Sequence, residues 1–74
     1  MTEKEINGVI DSLRKQGCND EMIAKCFVNL FVEGKIDIEQ CDAMLSFIGY
    51  GIPEEVKKAS KKTQFEVAKQ LLNS

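Results

Sequence analysis

Histidine and tryptophan are absent from the 74 residues, and proline and tyrosine occur once each. Without histidine no Ser-His-Asp or Cys-His arrangement can form, which removes the commonest routes to an activated nucleophile near neutral pH. No GxGxxG or P-loop sequence offers backbone amides to a phosphate. No apolar run approaches the roughly 20 residues of a membrane-spanning helix, so no membrane partner is expected. Charge of one sign is also scarce: ten Lys and Arg face twelve Asp and Glu, too even a balance to create a field toward a polyanion. Nucleic acid is therefore not an expected partner.

Cysteine is present in an odd number, as Cys18, Cys26 and Cys41, without a CxxC pair. This excludes a disulfide framework and leaves zinc short of its close ligand pairs. The expectation is that all three pack in the core of a protein kept in a reducing compartment, as free cysteines commonly do. The connection between the second and third helices is too short for the twelve-residue loop that calcium needs. Glu54 and Glu55 are adjacent, point to different faces, and fit the start of a helix. Neither a catalytic residue, a metal site nor a cofactor is expected. The opening Met1-Thr2-Glu3-Lys4-Glu5 is charged and lacks the apolar h-region of a signal peptide, so the expected location is cytoplasmic.

What is there is helical punctuation. Thr2 and Glu5 form a capping box, in which hydroxyl and carboxylate satisfy each other's orphan backbone N–H groups. Ile6, Val9, Ile10 and Leu13 follow along one helical face, and Gly17 supplies a left-handed stop. Asn19 caps a second helix running to about Glu33, with Asp20 and Glu21 opposing the positive end of its dipole. Met22, Ile23, Cys26, Phe27, Leu30 and Phe31 cover about half of its circumference, with Val28 and Val32 on another side. Leu30 lies in the middle of that face by this reading. A helix so widely apolar is expected to be central.

Gly34 ends it, and Asp37 with Gln40 reads as a second capping box for a helix carrying Ile38, Cys41, Met44, Leu45 and Ile48. Gly49-Tyr50-Gly51 closes that helix. Pro53 reads as the first position of a short fourth helix, with Lys57, Lys58, Lys61 and Lys62 on its solvated face. Thr63 and Glu66 read as a third capping box, opening a last helix with Phe65, Ala68, Leu71 and Leu72 on its apolar side. Residues 10–22 and 44–56 also match at an offset of 34 residues, pairing Gly17 with Gly51. A helix stop followed by a capped start produces the same pattern.

Two stretches resemble known families. Leu13 to Ala24, with Gly17, Ile23 and Ala24 in place, resembles the opening of helix-turn-helix regulators and implies DNA binding. The second helix runs on past the family's turn, and the helix in the recognition position carries Asp37, Glu39 and Asp42 without Lys or Arg. Residues 38–74 are similar to ubiquitin-associated modules, with Ile48-Gly49-Tyr50 and Leu71-Leu72 at the places of the family's loop and leucine pair. That resemblance implies protein binding through the loop and the last helix, although two further helices precede it here.

The expectation is therefore an all-α fold: one helical domain over 1–74, a small compact bundle of four to five short helices around a central second helix. By exclusion its function is that of a non-enzymatic protein-protein interaction module, regulatory or adaptor in kind, with an inhibitor or regulator from a phage or mobile element included. The alternative is a helix-turn-helix-like DNA-binding regulator. The expected partner is another protein or a second copy, met through Phe47, Tyr50, Val28 and Val32.

Overall fold

The structure is a computed structural model that describes residues 2–73; Met1 and Ser74, the ends of the expected domain, lie outside them. Five helices follow one another: α1 (Glu3–Lys15), α2 (Asp20–Val32), α3 (Ile38–Ser46), α4 (Glu54–Lys57) and α5 (Lys61–Leu72). The described residues contain no strand. The fold is all-α, a small bundle in which α2 packs against both α3 and α5, and α4 leans on α5. None of the helices is long and apolar enough to cross a membrane.

The expected caps form at three starts. At α1 both halves of the box are present, with Thr2 Oγ1 accepting from the Glu5 N–H and Glu5 Oε1 from the Thr2 N–H. Asn19 accepts from the Met22 N–H at 2.9 Å and Asp37 from the Gln40 N–H at 2.7 Å. Three helices then stop by one mechanism. Gly17, Gly34 and Gly49 take φ of 91°, 77° and 81°. The next N–H in each case reaches back to the carbonyl of Leu13, Leu30 or Leu45 at 3.0 Å. Left-handed backbone costs an L-residue roughly 1–2 kcal/mol, which glycine avoids.

The second half of the chain departs from expectation. Pro53 is the residue before α4 rather than its first residue, and α4 is a single turn. The last helix starts two residues before Thr63, because Ser60, not Thr63, caps it by accepting from the Thr63 N–H. Both residues are sound caps locally; the earlier start is the one that turns Gln64 and Ala68 inward, where both are buried. The four lysines consequently share no face. Lys57 ends α4, Lys61 and Lys62 belong to α5, and the Lys57 ammonium turns inward to Asp42 at 3.1 Å and Glu54 at 2.9 Å. The 34-residue correspondence fails as well: Gly17 is left-handed, whereas Gly51 is not, and α2 has 13 residues against four in α4.

One core unites the elements: Ile6 and Ile10 from α1, four residues of α2, Cys41, Met44 and Leu45 from α3, and Ala68 from α5. Its centre differs from the expected one. Ile23 and Phe27 are 0% exposed, whereas Leu30 is only half-buried. At about 100° per residue, a face centred between Phe27 and Phe31 leaves Leu30 at its edge. It also leaves Met22 and Cys26 outside, and both are exposed. Cys18 is half-buried, so core packing holds fully for Cys41 alone. Phe31 stacks on Phe65 with ring centroids 5.0 Å apart, an offset aromatic pair that ties α2 to α5.

Candidate interaction groove

The residues read as a partner patch part company. Val28 is buried, because on α2 it follows Phe27 and comes under the face that α3 and α5 cover. Val32, one turn on, is half-buried at a shallow depression with Phe65, Lys62 and Lys69. Phe47 is exposed at the C-terminal end of α3, outside both concavities. Tyr50 is 46% exposed. Only Val28 and Tyr50 of the four come together, as floor and rim of one groove.

That groove has a volume of about 380 Å³ and opens between α2, α3, α5 and residues 50–53. Its floor is Val28, Phe31, Cys41, Leu45 and Ala68; its rim includes Tyr50, Pro53, Val67 and Leu71. The size falls in the range of sites that take a small ligand or a few side chains. Leu71, read on the apolar side of the last helix, is half exposed, and it shares the rim with Tyr50. The loop after α3 and the last helix thus meet at one concavity. Ile48, another of the residues carrying the likeness to ubiquitin-associated modules, faces the core.

Two polar residues that sequence reasoning passed over hold the walls. Gln64, buried, donates from Nε2 to the carbonyls of Val56, Lys57 and Ala59 at 3.1, 3.0 and 3.3 Å. The Lys57 and Ala59 carbonyls follow the last hydrogen-bonded turn of α4 and need a donor from outside it, whereas the Val56 carbonyl also accepts from the Ala59 N–H at 3.1 Å. Asp42 accepts from the Ile52 N–H at 2.8 Å through Oδ1 and from Lys57 Nζ at 3.1 Å through Oδ2. A glutamine inside an apolar stripe was the available signal for the first. Nothing local marked the second, whose partners lie 10 and 15 residues away.

The Ile52 amide, assisted by the Lys57 ammonium, holds the Asp42 carboxyl below its ordinary 3.8 despite partial burial. A depressed folded value contributes stability that is present above the unfolded pKa of about 3.9 and is lost as pH falls through the folded value. Thermal melts should therefore show acid destabilisation below about pH 4 that is smaller in Asp42→Asn. Equal acid sensitivity of the two proteins would remove Asp42 as a cause. Cys41, on the groove floor, is pushed up to about 11 by burial and by the neighbouring Asp42 charge. While it stays buried its thiol is therefore protonated at neutral pH, and it labels only when the floor is uncovered.

No family model, curated protein or solved structure matches this chain.

Proposed function

We propose that this chain is a protein-protein interaction module, regulatory or adaptor in kind, whose groove receives the apolar side chains of a segment from another protein. The supporting observation is the lining. Valine, leucine, isoleucine, alanine and phenylalanine carbons form most of the concavity, and Tyr50 and Leu71 stand half-exposed at its edge. Gln64, the buried amide at its border, spends its N–H groups on backbone carbonyls. What is offered to an occupant is shape and carbon surface, with an aromatic anchor of the kind enriched at binding hot spots. The ion pair of Glu21 and Lys25, 3.8 Å apart, borders the opening and supplies a polar rim.

The DNA-binding alternative has no observation in its favour. α3 carries Glu39 and Asp42 with no Lys or Arg, although phosphate and base-edge contacts are made largely by basic side chains.

Peptides selected on the immobilised protein from a random display library should converge on sequences with bulky apolar anchors. Their amide chemical-shift perturbations should map to Val28, Leu45, Tyr50 and Val67. Tyr50→Ala and Val67→Glu should weaken the binding about tenfold or more, whereas Phe47→Ala, outside the groove, should leave it within about twofold. Circular dichroism controls for the fold, and sedimentation equilibrium for a second copy as occupant. Failure to enrich, perturbations elsewhere, or equal losses for Phe47 and Tyr50 would overturn the reading.

A further inference from the structure

One wall of the groove differs from the other three in how it is held. α2, α3 and α5 are hydrogen-bonded helices, whereas the wall formed by Tyr50, Gly51, Ile52 and Pro53 is irregular chain. It begins at the left-handed Gly49 and passes through Gly51, which adds no side chain to stiffen it. The Tyr50 N–H still belongs to the stop of α3, bonding to Leu45, and the Pro53 carbonyl already belongs to α4. Between those two points a single hydrogen bond among the described residues ties the backbone to the rest of the molecule, from the Ile52 N–H to Asp42. The half-buried Ile52 side chain adds apolar contact with the core.

We propose that residues 50–53 form a strap that opens the groove, and that the Asp42 carboxylate is its catch. One carboxylate oxygen holds the strap at Ile52 and the other holds α4 through Lys57. Lys57 in turn is drawn to Glu54, so the strap and the turn that follows it share one anchor. Freeing this anchor releases the strap at Ile52 and loosens its junction with α4, while the Tyr50 end stays pinned to Leu45. The helices beneath it keep their own hydrogen bonds, and their packed residues, Phe27, Met44 and Ala68, lie outside the strap. Opening is thus a local event of the free chain, of the kind that exchanges without global unfolding. It does not depend on what occupies the groove.

Cys41 reports on it. Its thiol lies on the groove floor and is 1% exposed. In the full chain carrying Cys18→Ser and Cys26→Ser, Cys41 is the single thiol, and its alkylation by N-ethylmaleimide is followed by mass spectrometry. Amide hydrogen exchange is read on the same proteins. Asp42→Ala should accelerate both the labelling of Cys41, taken relative to the same variant unfolded in urea so that the lost Asp42 charge cancels, and the exchange of the Ile52 amide about tenfold or more, while the amides of α2 stay protected. Asp42→Asn, which keeps an acceptor but no charge for Lys57, should fall between wild type and Asp42→Ala, and it carries the test alone if the alanine variant does not fold. Labelling that stays slow although Ile52 exchanges freely would overturn the proposal. So would labelling that rises only together with exchange throughout α2, or an asparagine variant indistinguishable from wild type in both readouts.

Discussion

Phe27→Ala is expected to destabilise the domain by about 3–5 kcal/mol, the range for removing a fully buried aromatic ring and leaving its cavity. A single core in a chain of this length supplies roughly that much in total, so the variant should be largely unfolded at room temperature. The position justifies the upper half of the range. Phe27 is 0% exposed at the centre of α2, which packs against both α3 and α5, and its backbone carbonyl lies 3.8 Å from the Cys41 sulfur. Loss of the ring therefore opens space between three helices that cannot close it separately. Leu30→Ala, at the half-buried edge of the same helix, should cost distinctly less. Urea titrations followed by circular dichroism measure both. A folded Phe27→Ala protein, or the reverse ranking, would show that the core is centred elsewhere.

Gln64→Leu is expected to cost about 1–3 kcal/mol although it replaces a buried polar side chain by an apolar one of similar size. The reason lies in what the amide leaves behind. The Lys57 and Ala59 carbonyls lose this donor while Val56 keeps the Ala59 N–H, and Nε2 has only two hydrogens, so one of its three bonds is shared. α4 has four residues and no side-chain cap at its start, and its remaining side-chain support is the pairing of Lys57 with Asp42 and Glu54. The damage should be local: rapid amide exchange across 54–59, with α1 and α2 still protected. Uniform loss of protection would mean that Gln64 serves the whole core, and unchanged stability that water replaces it without cost.

Both residues show which parts of the fold were legible in the sequence. Caps and stops are short-range, because a side chain three residues from an orphan amide, or a glycine after the last turn, acts within one turn of helix. Thr2, Asn19, Asp37, Gly17 and Gly34 were therefore readable one by one. Where two such signals compete, local reading has no means to choose. Ser60 and Thr63 are equally good caps, and burial of Gln64 and Ala68 decided between them.

The groove was legible only in part. Tyr50 was marked by its place between two glycines and Leu71 by its place on the apolar side of the last helix, but their neighbour on the rim, Val67, carried no local mark. Periodicity tells which residues share a face of a helix; it does not tell how much of that face a neighbour covers. Phe47 and Tyr50 lie three residues apart and looked like one edge, yet the turn at Gly49 between them sends one to the end of α3 and the other to the groove.

By itself the sequence determined the helical class, the wide apolar face of α2 and most of the places where helices begin and end, since these depend on contacts within a turn or two. Only the tertiary structure decided which side of that face is the centre of the core, which carboxylate catches residues 50–53, and where apolar surface is left uncovered. These depend on packing and on partners 10 or more residues away, and no local pattern encodes the distance between two helices.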